Sequence, residues 1–404
     1  MKYRLLSSMF YEDTELYKNT YETRYNSEST YRYKFSIGDH KAFVVINNNI
    51  LKLISKILVL DKDFALKAQH LPSIALKQYT KKCIIDEIKM TNDIEGVIST
   101  RKEINEILED LTGRKKTKRL YGLVKKYELL TEEELALSNC ADIRTLYNEL
   151  VLSEIKADNI DHVPDGTIFR KDPVYVQSKT GKTIHSGINP ERKIIETLTD
   201  CLLILHDENY SKLISIAVFH YMFGYIHPFY DGNGRISRFI SSYLLSRELH
   251  PLIAYRLAYT IKNDINSYYK SFKVVNDEKN KGEITSFVEY FFSILAESLE
   301  DLNASLLERI NKLNFYKNQI SIMSQLDNHI DERINKILNI LVQNSLFGEH
   351  GLGVTEISEI TDIGDSKVRT SLKLLETKSL IKQNRIGRKY IYEADLDFIN
   401  DIRR

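Results

Sequence analysis

Twelve residues, 227–238, with the sequence HPFYDGNGRISR, constrain this chain more than any other stretch. They join two helical patterns. Upstream, Leu213 to Tyr225 is apolar nearly all round, which predicts a buried helix. Downstream, Ile236, Phe239, Ile240, Tyr243 and Leu244 recur at helical spacing and mark one face of a second helix. Gly232, Asn233 and Gly234 then fall at the N-terminus of that second helix. Unpaired backbone N–H groups and the helix dipole favour an anion there, and glycine lets backbone approach it closely. Arg235 and Arg238 are three apart and are expected to share a helix face, where two guanidiniums suit a polyphosphate. Asp231 can hold Mg²⁺, an ion that takes one or two carboxylates together with phosphate oxygens. His227 opens the loop and can accept a proton from an attacking hydroxyl. Pro228 stiffens the turn, and Phe229 reads as an apolar anchor for it. The stretch lacks the GK[ST] ending of a P-loop, so it is a different phosphate-binding device.

The rest of the composition sets limits. A chain of 404 residues argues for two or three domains, and 43% hydrophobic with 28% charged residues is an ordinary globular balance. The net charge of +1 gives no overall pull toward nucleic acid or anionic lipid, so any basic surface is local. Cys83, Cys140 and Cys201 are widely spaced, with no CxxC or Cys/His pattern. That argues against a disulfide framework or structural zinc and fits a reducing compartment. The N-terminal residues show no apolar signal-peptide core, and the most apolar run, 213–226, is too short to span a bilayer. The expectation is a cytoplasmic protein with no membrane partner.

The fold class expected is mainly α, in three segments: 1–112, 113–312 and 330–404. Residues 1–50 carry short alternating runs, YRYKFSI and KAFVVI, which predict a few strands around Gly38-Asp39. The basic run 113–126 reads as a solvated connection. Residues 164–188 combine Pro and Gly punctuation with alternation at Val174, Tyr175 and Val176, which predicts a β-hairpin between helices. Helices are expected at 190–209 and 211–226, and one or two more within 283–326. The order over 330–404 is helix, helix-turn-helix, then two strands, matching a winged helix-turn-helix. Lys367, Arg369 and Lys373 lie on its recognition helix and Arg385, Arg388 and Lys389 on its wing, opposed between 366 and 389 by Glu376 alone. Phosphate contacts use such a patch. Winged helices also serve protein contacts, and both DNA and protein stay open as partners.

HPFYDGNGRISR resembles the full signature of the Fic (Fic/Doc) family, HPFx[DE]GNGRxxR, at every defined position. The resemblance implies a helical domain with a β-hairpin flap that transfers AMP from ATP to a Ser, Thr or Tyr hydroxyl of a target protein. It implies His227 as general base and Asp231 as the Mg²⁺ ligand. Asn233 is then expected on the α-phosphate, Gly232 and Gly234 in a backbone anion hole, and Arg235 and Arg238 on the β- and γ-phosphates. The Doc branch, similar to kinases in outcome, carries Lys where this chain has Gly234, and the glycine favours AMP transfer. GTIFRKDPVYV resembles the family's flap, which clamps a target segment by strand addition through Val174, Tyr175 and Val176. YYKSFKVVN resembles its adenine segment, with Tyr268 and Tyr269 lining the pocket and Asn276 on the base. TNDIEG resembles its inhibitory motif. Thr91 and Glu95 share one helix face, Gly96 suits the helix end, and Glu95 is expected to reach Arg238 in place of the γ-phosphate. Self-modification and a homodimer are compatible with the resemblance. Removal of AMP by the same site, and a DNA-binding regulator with a nucleotide-sensing Fic domain, are the alternatives.

Overall fold

The computed structural model describes residues 3–111, 118–177, 183–386 and 389–401. The first departure from the sequence reading comes at the N-terminus. Helices Leu6–Glu12 and Thr14–Asn26 precede the strands, where only strands were expected. The Asp13 side chain accepts from the Glu15 and Leu16 amides and so starts the second helix. Tyr17, Tyr21 and Tyr25 recur every four residues along it, a helical stripe of aromatics, and they pack in one cluster with Phe43 and Val45. The strands themselves follow the reading: β1 (Thr30–Ile37) and β2 (His40–Val45) pair antiparallel around Gly38, which has a φ of 55°.

The chain divides into two compact units that cut across the three expected segments. One joins Met1–Lys62 to Ile84–Glu300, and the other joins Asp63–Cys83 to Asp301–Arg404. In the first unit β2 is bound to a distant piece of chain. The Phe43 amide donates to Gly282 O (3.1 Å), Ile284 donates back to Phe43 O (2.8 Å), and the Val45 amide donates to Thr285 Oγ1 (2.9 Å). Those non-local bonds make residues 1–62 part of the central unit, and no local sequence pattern announces them.

The centre of that unit is the helix Lys212–Ile226, with twelve of its fifteen residues buried, packed between Glu191–His206 and Asn233–Glu248. Ahead of it, β3 (Tyr175–Gln177) and β4 (Thr183–Ser186) form the expected hairpin, with Tyr175 opposite Ser186 and Val176 opposite His185. The Val176 side chain and residues 178–182 lie outside the described residues, as does 113–117 of the basic run. The region 283–326 is one continuous helix, Thr285–Leu326.

In the second unit, helices Glu332–Phe347, Val354–Thr361 and Asp365–Thr377 are followed by the hairpin β5 (Ile381–Ile386) and β6 (Lys389–Ala394), and a bridge pairs Leu352 with Tyr392. Its core is built from Ile337, Leu341, Ile357, Val368, Leu372 and Leu375. This is the element order read from sequence. Arg388 lies outside the described residues. Among the described residues no helix is long and apolar enough to cross a membrane.

Candidate active site

The signature loop leaves the buried helix through His227, which takes a left-handed backbone (φ 52°, ψ 64°) and still donates its amide to Phe223 O (3.0 Å). A non-glycine residue in this conformation is held there by its surroundings. Phe229 provides the hold expected of it: it is fully buried and stacks on Tyr147 at 3.9 Å. Asn233 clamps the same residue, accepting from the Phe229 amide (2.9 Å) and donating to its carbonyl (2.8 Å). Its amide therefore fixes the loop, besides lining the cleft where a phosphate is expected.

The helix Asn233–Glu248 starts after Gly232, which has a φ of 80°. No side chain caps this terminus, so its first-turn amides remain available to an anion. Gly234 leaves room for Glu95: a Cβ there would sit 2.1 Å from Glu95 Oε1, so a larger residue would displace that carboxylate. The two arginines then part company. Arg238 lines the cleft, and Arg235 is not among the described residues that do. The two lie only about 60° apart around the helix, but Glu154 captures Arg235 in a buried ion pair at 2.9 Å. Asp231, 38% exposed, accepts from the Gly232 amide and has His162 Nδ1 at 3.9 Å. It is not among the described residues lining the cleft.

That cleft is lined by His227, Gly234, Arg238, Tyr268, Tyr269 and Asn276, with Glu95 and His185. Burial holds the His227 pKa down at about 4, against the pull of the Gly224 carbonyl and Glu95. The imidazole is neutral near pH 7. Its Nδ1 lies 3.4 Å from Gly224 O; donation there leaves Nε2 as the basic nitrogen. Tyr268 is buried, its hydroxyl 2.8 Å from His220 Nε2, and the other nitrogen of His220 is 2.8 Å from Ser241 Oγ. Burial, and then Arg238, lower the His220 pKa to about 3. Tyr269 is half-exposed at the rim. The Tyr221 hydroxyl donates to Asn276 Oδ1 (2.6 Å) and fixes that amide.

The helix Ser73–Glu95 ends at Glu95, followed by Gly96 with a φ of 76°. Its last turn fills the cleft. Arg238 Nη2 donates to Glu95 Oε1 (2.7 Å) and to Thr91 O (3.1 Å), and Nε donates to Thr91 Oγ1 (2.8 Å). Arg238 is 1% exposed and the Glu95 side chain 25%. Burial works against the Arg238 charge, and Glu95 with the neighbouring tyrosines overrides it, so its pKa is raised. Two turns earlier, on the same face, buried Glu87 accepts from the Ala258 and Tyr259 amides, and burial raises its pKa to about 7.

Residues 139–245 match the model of the Fic/DOC family. The chain carries a Fic domain. Among curated proteins it is similar to the "Protein adenylyltransferase Fic" of Drosophila virilis, 26% identical over 290 residues, which are 69% of this chain and 55% of that protein. The counterpart in Drosophila ananassae is 27% identical over 58% of this chain and 45% of its own length. The chain thus spans about half the length of these relatives. Among solved structures, a Fic family protein from Desulfovibrio desulfuricans G20 aligns with a TM-score of 0.52 at 18% identity, over 86% of this chain and 96% of that one. That likeness concerns the fold.

Sequence reasoning missed Glu154, Glu87, His185 and Arg170. Glu154, His185 and Arg170 meet the site through partners far along the chain, which spacing does not encode. A weak signal was present for Glu87, which precedes Thr91 and Glu95 by four and eight residues on one helix face.

Proposed function

We propose that this chain transfers AMP from ATP to a hydroxyl of a target protein and is restrained by Glu95. The observation that carries this is the occupation of Arg238 by Glu95 and Thr91 inside a cleft that also holds His227 and the open helix N-terminus. His227 Nε2 takes the hydroxyl proton, the hydroxyl oxygen attacks the α-phosphorus, and the bond to pyrophosphate breaks with its electron pair leaving on pyrophosphate. The first-turn amides of the helix Asn233–Glu248 hold phosphate oxygens, and Arg238 holds the γ-phosphate once Glu95 withdraws. Tyr268, Tyr269 and Asn276 hold adenine. The curated relatives named for adenylyl transfer support the reaction class.

Asp231 would hold Mg²⁺ through its one carboxylate, which is partly exposed and oriented by the Gly232 amide, a donor set of the kind the ion takes together with phosphate oxygens and water. Bound there, the ion would neutralise phosphate charge. Asp231→Ala should reduce the gain in ATP affinity that Mg²⁺ gives, read by calorimetry with and without the ion. The test of the whole reading is incorporation of AMP labelled at the α-phosphate, by wild type and by Glu95→Gly, with mass spectrometry of labelled proteins including the chain itself. A Glu95→Gly protein that binds ATP and labels nothing would overturn it. Label removed faster by wild type than by Glu95→Gly would favour the second reading, AMP removal with Glu95 orienting water.

For the C-terminal unit we propose duplex DNA as partner. Lys367, Arg369 and Lys373 stand exposed on the helix Asp365–Thr377, and no ion pair among the described residues claims them. Lys389 and Tyr390 are exposed on the hairpin that follows. Binding of a labelled duplex by the full chain, with salt titration, tests this; retention of a protein and no duplex affinity would make it a protein-docking module.

A further inference from the structure

Arg170 is 0% exposed, and among the described residues no carboxylate pairs with it. A buried guanidinium without an anion is costly and is kept only where its donors are used. Here every acceptor is a backbone carbonyl, and they come from two places. Nε donates to His227 O (2.8 Å) and Nη2 reaches Ile226 O (3.4 Å), both at the start of the signature loop. Nη1 donates to Asp172 O (2.7 Å) and Nη2 to Ile188 O (2.8 Å), residues that flank β3 and β4 at the two roots of the flap. The Ile188 amide donates to Ile226 O (3.0 Å), and the Gly187 amide to Val174 O across the hairpin (2.9 Å). Lysine has one point of donation, whereas the planar fork of arginine spans acceptors on separate segments. Space for the fork depends on Gly187, where a Cβ would lie 2.5 Å from Arg170 Nη2.

We infer that Arg170 is a positioning residue that sets the register of the flap against His227, so that a target segment laid along the flap presents its hydroxyl to that imidazole. The inference rests on the AMP-transfer reading. A target chain pairs with a flap strand through its backbone, so its hydroxyl arrives where the flap puts it. Water needs no flap. Loss of register should therefore reduce transfer to protein and spare transfer of AMP to water.

The experiment compares Glu95→Gly with Glu95→Gly/Arg170→Lys and Glu95→Gly/Gly187→Ala, following protein-bound AMP and free AMP from the same ATP. Gly187→Ala keeps the cation and pushes it aside; its Cβ would also meet His227 Cβ and Ile226 O at 3.1 Å, so free AMP reports whether His227 itself has been disturbed. Both double variants should lose roughly 10–100-fold in protein-bound AMP while free AMP changes by less than about twofold. ATP affinity should hold. Hydrogen exchange reads register without any activity: the Gly187 and Ile188 amides should exchange faster in both variants, and the helix Asn233–Glu248 should not. Equal loss of both products with unchanged exchange at 187–188 would make Arg170 a structural residue of the His227 loop and overturn the inference, as would no change in either product. A Glu95→Gly protein that binds ATP but yields no protein-bound AMP would refute the AMP-transfer reading, and the exchange result would still decide the register.

Discussion

Two helices of this chain carry cations near their N-termini, and they treat them in opposite ways. In Asn233–Glu248 the two arginines of the first turns are 1% exposed and each has a carboxylate partner: Glu154 for Arg235, Glu95 for Arg238. In Asp365–Thr377, Lys367, Arg369 and Lys373 are exposed, with no ion pair among the described residues. A buried guanidinium is held to one geometry, and its function is decided by which anion occupies it. Exposed cations contribute little in structure and much to the salt dependence of binding a phosphate backbone. In the first helix the cation that lines the cleft is held by a single carboxylate, Glu95. The second can only be tuned by charge number and ionic strength.

The largest expected effect tests the buried helix's surroundings. Adding His227→Ala to Glu95→Gly should reduce labelled-AMP incorporation by roughly 10²–10⁴-fold, the usual loss of a general base, with ATP affinity nearly unchanged. Turnover surviving in the double variant would place the chemistry elsewhere.

Glu95→Gly itself should raise incorporation. A charge-assisted hydrogen bond is worth about 1.5–3 kcal/mol, so releasing that one pair shifts the competent population by roughly 10–150-fold. On the proposed function Arg238→Ala should not imitate the release, because it would remove the proposed partner of the γ-phosphate along with that of Glu95. Equal activity in wild type and Glu95→Gly would mean that the Ser73–Glu95 helix is only structural.

These two sites differ also in how far the sequence discloses them. The signature loop was legible because its parts are consecutive: the end of one helix and the start of the next follow from local chemistry at Pro228, Gly232 and Gly234. Thr91 and Glu95 were legible as a helix face, and the resemblance supplied their partner. The partner of Arg235 was not legible, because spacing alone cannot tell which neighbour takes a side chain; Glu154, eighty-one residues earlier, does. The helices at 6–26 were missed because tyrosine every fourth residue looks like β-propensity when composition outweighs period. The union of β2 with Gly282–Thr285 was invisible for a similar reason, since backbone pairing across 240 residues leaves no mark in either segment.

For the exposed patch, replacing Lys367, Arg369 and Lys373 together by alanine should flatten the salt dependence of duplex binding. Three phosphate contacts contribute a slope of about 2.7 in log K against log salt, equivalent to roughly 40-fold between 50 and 200 mM. Fluorescence anisotropy on the full chain reads it. An unchanged slope would remove these residues from any DNA interface. The folded core should be indifferent, because exposed substitutions of this kind stay within about 0.5 kcal/mol of stability.

The smallest expected effect is a flat line where a slope would be ordinary. A histidine base of normal pKa loses half its rate at about pH 6.5 and roughly tenfold by pH 5.5. His227 is depressed to about 4, first by burial, so its neutral form persists through that range. Glu95 raises this pKa and Arg170 lowers it. In Glu95→Gly the acid limb of kcat/KM should therefore lie no higher than about 4, and Arg170→Lys, which keeps the charge, should leave it there. The linkage has the matching sign. A histidine with a lowered folded-state pKa contributes stability present above its unfolded value near 6.5 and lost as pH falls toward about 4. Glu87, raised to about 7, runs the other way: its contribution is present below about 4.5 and lost as pH rises through 7. Between pH 5.5 and 7 the two oppose each other in stability, but of the two only His227 lines the cleft. A rate that fell tenfold over that interval, at constant ATP affinity, would mean that the imidazole is hydrated in the working enzyme and that the closed cleft around Arg238 and Glu95 is not the state in which transfer occurs.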